Sequence, residues 1–101
     1  MKLLIEFDVY SDIVDVPEFV IKDIQKYRNK FLDWLYNPKI KHKYWRIGRD
    51  ASGRRFKGVC YGSDAFIEWL NAKVLKDSEE KATLVESKTE YDGNEYPKIF
   101  F

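Results

Sequence analysis

The chain has 101 residues, 45% of them apolar and 17% aromatic, which suffices for one hydrophobic core and is too apolar for a disordered chain. Its 18 Lys and Arg nearly balance 17 Asp and Glu, leaving a net charge of +1, so the overall balance names no partner. With one cysteine and one histidine, an intramolecular disulfide and a Cys/His zinc set are excluded. The expectation is a single domain over residues 1–101 in a reducing, cytoplasmic setting. Lys2-Leu3-Leu4-Ile5 resembles the start of a signal peptide, but Glu6 and Asp8 end the apolar run too early, and no stretch approaches a membrane span.

In chain order, Leu3, Ile5, Phe7 and Val9 alternate with Lys2, Leu4, Glu6, Asp8 and Tyr10, the period of a strand with one buried face. Asp15-Val16-Pro17-Glu18 reads as a helix start, with Asp15 as N-cap and Glu18 completing a capping box. Val20, Ile24, Tyr27, Phe31 and Trp34 then form an amphipathic stripe that ends near Asn37-Pro38, with Lys22, Lys26 and Lys30 outside it. Lys41–Ile47 and Arg54–Tyr61 read as strands joined by Asp50-Ala51-Ser52-Gly53, whose glycine supplies the positive φ of a tight turn. Ser63 is placed to cap a second helix with Phe66, Ile67, Trp69, Leu70 and Val74 on its buried side. Ala82–Thr89 reads as a strand, Asp92-Gly93 as a hairpin turn, and Tyr96–Phe101 as the returning last strand.

This order predicts an α+β, two-layer sandwich: a ferredoxin-like β-α-β-β-α-β unit with an extra C-terminal β-hairpin strand, both helices covering one face of an antiparallel sheet. Phe31-Leu32-Asp33-Trp34-Leu35 is echoed by Phe66-Ile67-Glu68-Trp69-Leu70, as two helices resting large aromatics on one sheet require.

The charge is unevenly placed. Residues 39 to 57 carry eight basic side chains and one carboxylate, Asp50, so this segment holds 8 − 1 = +7. A register with residue 47 opposite 56 gathers Trp45, Ile47, Phe56 and Cys60 on one face and His42, Tyr44, Arg46, Arg55, Lys57, Val59 and Tyr61 on the open one. The candidate partner-binding residues are accordingly Tyr44, Arg46, Arg49, Arg54, Arg55, Lys57 and Tyr61, with the arginines clamping anions and the tyrosines stacking on unpaired bases. The competing reading is a cross-strand salt network of Glu6 and Asp8 with Arg55 and Lys57.

Catalytic chemistry has little to build on. His42 has no cysteine or serine motif beside it and reads as a surface residue, while Cys60 sits in an apolar run and reads as inert. Asp8, Asp12 and Asp15 could gather round a magnesium ion, but Asp12 and Asp15 read more simply as turn and helix-cap residues, and Gly58 and Gly62 lack phosphate-loop spacing. No catalytic, cofactor-binding or metal-binding residue is expected, and the chain reads as non-enzymatic. An acidic stretch from residue 77 to 95 and the apolar ending Ile99-Phe100-Phe101 allow either a monomer whose last strand completes its own sheet or a homodimer.

Two resemblances add to this. Arg54-Arg55-Phe56-Lys57-Gly58-Val59-Cys60-Tyr61 partly resembles the first consensus motif of RNA-recognition-motif domains, with Arg54, Phe56, Val59 and Tyr61 fitting and Gly58 standing where a stacking aromatic is usual. His42-Lys43-Tyr44-Trp45, Gly58–Gly62, Ala65–Asn71 and Lys76–Ala82 resemble small uncharacterised bacteriophage and prophage proteins. That resemblance implies a modulator or inhibitor of a bacterial host system, such as a nuclease of antiviral defence. Its partner would be a bacterial host protein or a protein–nucleic acid complex, with no membrane involved. The alternative is direct binding of RNA or single-stranded DNA.

Overall fold

A computed structural model describes residues 1–8, 10–89 and 96–101. The first strand, β1 (Lys2–Glu6), forms where the alternation predicts, but Leu4 is as completely buried as Leu3 and Ile5, so both faces are covered. Phe7 follows the strand and packs half-buried against the core, while Val9 lies outside the described residues.

Where the sequence predicts a helix start, the chain instead makes a second strand, β2 (Ser11–Asp15), antiparallel to β1 from Lys2↔Asp15 to Glu6↔Ser11. The β-branched pair Ile13-Val14 is buried in this sheet, and that burial outweighs the capping signal of Asp15. Asp15 is not an N-cap: it accepts a 2.6 Å hydrogen bond from the Met1 amine, which holds its carboxyl below its ordinary value. Pro17 opens the helical region with φ −60° and ψ 149°. The single predicted helix is two, α1 (Glu18–Lys22) and α2 (Ile24–Leu35), divided at Asp23. Pro38 lies just past the end of α2, where Asn37 Oδ1 accepts the Lys39 N–H at 3.0 Å.

The third helix, α3 (Ser63–Trp69), runs into a π-helical turn, Leu70–Val74. Ser63 is its first residue and not its cap, because the Ser63 hydroxyl is buried and donates to the buried Asp12 carboxylate, tying α3 to β2. Within the π turn, Asn71 pins the returning chain by donating to the Ala82 carbonyl at 3.0 Å and accepting the Ala82 N–H at 2.7 Å. The last two strands are β5 (Thr83–Thr89) and β6 (Lys98–Phe100).

The main sheet is mixed and ordered β5-β2-β1-β6. The last strand does not return against β5; β6 pairs in parallel with β1 at the opposite edge, Leu4↔Lys98 through Glu6↔Phe100. The predicted Asp92-Gly93 turn lies outside the described residues. Ile99 is buried and Phe101 packs on the core, the inward alternation expected of a strand that completes its own sheet.

The remaining strands, β3 (Trp45–Arg49) and β4 (Arg55–Val59), form a separate two-stranded sheet. The fold is therefore a small α+β protein with a mixed sheet and a detached hairpin, and the ferredoxin-like order, which needs these strands in the central sheet, is corrected. The physical reason is that both faces of the hairpin carry arginine or lysine, so neither can be buried under helices without desolvating charge. The radius of gyration, 14.9 Å, exceeds the roughly 13 Å of a compact 100-residue domain.

The core lies between the sheet and the helices, with Phe31 at its centre. The Phe31 ring stands 5.3 Å from Phe66, 5.8 Å from Trp69, 5.7 Å from Phe101 and 5.9 Å from Tyr61, mostly edge to face. Both copies of the echoed Phe-x-x-x-Leu segment supply this cluster: Phe31 and Leu35 from one, Phe66 and Leu70 from the other, all fully buried. Among the described residues no helix is long and apolar enough to cross a membrane.

Candidate binding surface on the hairpin

The hairpin is built by its turn. Asp50 Oδ1 accepts hydrogen bonds from the N–H of Ser52 at 3.0 Å, the Ser52 hydroxyl at 2.7 Å and the N–H of Arg54 at 2.9 Å, which holds the Asp50 carboxyl below its ordinary value. Gly53 takes φ +83°, and the Asp50 N–H closes the loop on the Arg54 carbonyl at 2.9 Å. This is a three-residue loop with a left-handed last position.

That turn sets a register one residue away from the one predicted. Ile47 faces Lys57, Gly48 faces Phe56 and Arg49 faces Arg55. Gly48 makes the register possible: the Phe56 ring lies over it so closely that a Cβ at residue 48 would stand 2.6 Å from the ring. Each face of the ribbon is consequently mixed. Trp45, Ile47, Arg49, Arg55, Lys57 and Val59 share one side, while Arg46, Gly48, Phe56 and Gly58 share the other, with Arg54 following by alternation.

Five of the seven predicted site residues lie on this surface: Arg46, Arg49, Arg54, Arg55 and Lys57 are all exposed. Among the described residues, no ion pair joins any of them to a carboxylate. The salt network with Glu6 and Asp8 does not form, because the hairpin is not beside β1, and Glu6 instead faces Lys98 at 3.9 Å. The cations are steadied by weaker means. Lys57 sits 4.5 Å above the Trp45 ring, Arg49 donates to the Gly53 carbonyl at 3.2 Å, and Arg46 donates through Nη1 to the carbonyls of Lys43 and Trp45. Ile47 and Phe56 are 63% and 55% exposed, one on each side of the ribbon.

The two predicted tyrosines are elsewhere. Tyr44 is only 6% exposed and donates its hydroxyl to Glu68 at 2.6 Å; burial, then that hydrogen bond, raise its pKa. Tyr61 packs among Phe7, Phe31 and Phe101, and its pKa is likewise raised by burial first. Both lie just beyond the strand ends, where the chain turns back to the body, and so serve as anchors for the ribbon. Cys60 also departs from expectation, being exposed.

Sequence reasoning missed the residues that hold the hairpin to the body. His42 is not a free surface residue. Its ring is parallel to Trp45 at 5.1 Å and tilted against Trp34 at 4.7 Å. The Tyr44 N–H donates to Nδ1 at 3.2 Å, so Nε2 carries the hydrogen and donates to the Leu35 carbonyl at 2.8 Å. The signal that was available is the aromatic spacing Trp34, His42, Tyr44, Trp45, which no local periodicity explains. The second missed strut is Glu68, which accepts from Tyr44 and pairs with Lys43 at 2.8 Å; Lys43 first, and Tyr44 second, lower the Glu68 pKa.

A lowered carboxyl pKa means that this strut stabilises the fold above the ordinary glutamate value and ceases to do so as pH falls through the folded value. Glu68→Gln should therefore melt below wild type at pH about 6, with the gap narrowing toward pH about 3. A melting-temperature difference that stays constant between those pH values would show that Glu68 ionisation contributes nothing.

Asp12 and Asp15 are engaged by Ser63 and the Met1 amine, and among the described residues no three His, Cys, Asp or Glu side chains converge as a metal site. No protein-family model, curated protein or solved structure matches the chain, so the functional assignment rests on the geometry of the hairpin.

Proposed function

We propose that this chain is a non-enzymatic binding protein whose basic hairpin engages an anionic macromolecular partner, as a phage-type modulator or inhibitor of a bacterial host system would. The observation that carries this reading is the set of five exposed cations, none ion-paired among the described residues, on a ribbon that forms its own two-stranded sheet apart from the main one. Charge left unneutralised within the fold, with an exposed Ile or Phe at the centre of each side, matches the arginine-and-aromatic make-up of interface hot spots. His42, with both ring nitrogens in structural hydrogen bonds, is occupied as a strut and unavailable as a base. Direct binding of RNA or single-stranded DNA by stacking draws less support, because Tyr44 and Tyr61 are turned inward.

Affinity capture from a bacterial lysate, with and without nuclease, compares wild type with Arg46→Glu, Arg55→Glu, Lys57→Glu. The triple variant should melt as wild type does and lose every partner that wild type retains. A folded triple variant that retains the same partner equally well would overturn the proposal.

A further inference from the structure

The partner that fits both sides of the ribbon at once is a groove, and we infer that the hairpin inserts into the major groove of duplex DNA. This rests on the hairpin being the binding element and names what it binds. A flat acidic protein patch meets one face of a ribbon. Here cations occupy both faces: Arg49, Arg55 and Lys57 on one side, Arg46 and, by alternation, Arg54 on the other. Such two-sided charge is complementary to two phosphate backbones running along either wall of a groove.

The dimensions agree. Two strands about 4.8 Å apart, with side chains, fit a B-form major groove about 12 Å wide, which admits a two-stranded β-ribbon. The corresponding groove of duplex RNA is deep and too narrow to enter. The Phe56 ring covers Gly48, and glycine at 48 and 58 keeps this side of the ribbon low in side-chain bulk. Exposed Ile47 and Phe56 would meet the apolar component of the groove, the thymine methyl groups. A single-stranded ligand would have only Phe56 as a well-exposed ring on the ribbon.

The test is fluorescence anisotropy with the full chain and three labelled probes: a 20-base-pair mixed-sequence DNA duplex, one of its strands, and the matching RNA duplex. The DNA duplex should bind tightest, with log K falling against log salt at a slope of roughly −4 to −5 for five phosphate contacts. Two variants then separate the faces: Arg49→Glu with Arg55→Glu, and Arg46→Glu with Arg54→Glu. All four residues are exposed, so both variants should melt as wild type does. Insertion predicts that each pair lowers duplex affinity at least about tenfold. Loss with only one pair, or equal binding of the single strand or RNA duplex, overturns insertion. If no probe binds while the triple variant still loses a nuclease-resistant protein partner, the groove is wrong and the hairpin remains the binding element. If neither probe nor lysate partner responds to the charge reversals, both readings fail.

Discussion

Phe31→Ala should destabilise the protein by about 3 to 5 kcal/mol, the range for deleting a fully buried phenylalanine from a core that cannot collapse around the gap. Phe31 has no exposed surface and its ring meets Trp34, Tyr61, Phe66, Trp69 and Phe101 at centroid distances of 5.3 to 6.1 Å. These partners come from α2, α3, the segment after β4 and the chain end, so relaxation of any one element leaves the others uncovered. A small domain has total stability of only about 5 to 15 kcal/mol, so the variant should be partly unfolded at ambient temperature or melt far below wild type. Phe31→Leu, which keeps most of the volume, should recover the larger part of the loss. Equal denaturation midpoints for Phe31→Ala and wild type would show that this aromatic cluster does not hold the fold together.

His42→Ala should cost about 2 to 4 kcal/mol, since it leaves the Tyr44 N–H and the Leu35 carbonyl without their partner and removes two ring contacts. The loss is expected to be local. Amide exchange should quicken at residues 44 to 49 and 55 to 60, because the ribbon is released from α2, while Leu3, Ile5 and Val14 in the main sheet keep their protection. His42→Phe preserves stacking between Trp34 and Trp45 but not the hydrogen bonds, and should fall between wild type and His42→Ala. Unchanged exchange at Tyr44 in His42→Ala would refute the strut. Binding by the released ribbon should also weaken, since an arm held in one orientation loses less freedom on docking.

The amino-acid sequence by itself determined what depends on neighbours a few residues apart. The apolar stripe of α2, the Asp50–Gly53 turn, the strand at Thr83–Thr89 and the concentration of charge in residues 39 to 57 follow from helical period, turn chemistry and simple counting. The exposure of Arg46, Arg49, Arg54, Arg55 and Lys57 was legible for the same reason: consecutive arginines and lysines stay in water almost wherever the strand goes.

Only the tertiary structure decided which strands pair, in what register, and which polar groups are withdrawn from water. β2 was invisible because Ser11-Asp12-Ile13-Val14-Asp15 begins and ends like a turn, while in the fold the strand pairs with β1 and Asp12 is buried against the Ser63 hydroxyl. The side of the sheet taken by β6 could not be read from Lys98-Ile99-Phe100, since a parallel partner lies at the far end of the sequence. The hairpin register was set by how the Asp50–Gly53 loop closes and was made possible by the bare Gly48 under the Phe56 ring, and a shift of one residue exchanges every side chain between faces. Tyr44, Tyr61 and His42 were misplaced for a related reason. An aromatic ring is stable either on a surface or against other rings, and which it does depends on whether Phe31, Trp34 and Glu68 arrive from elsewhere to meet it.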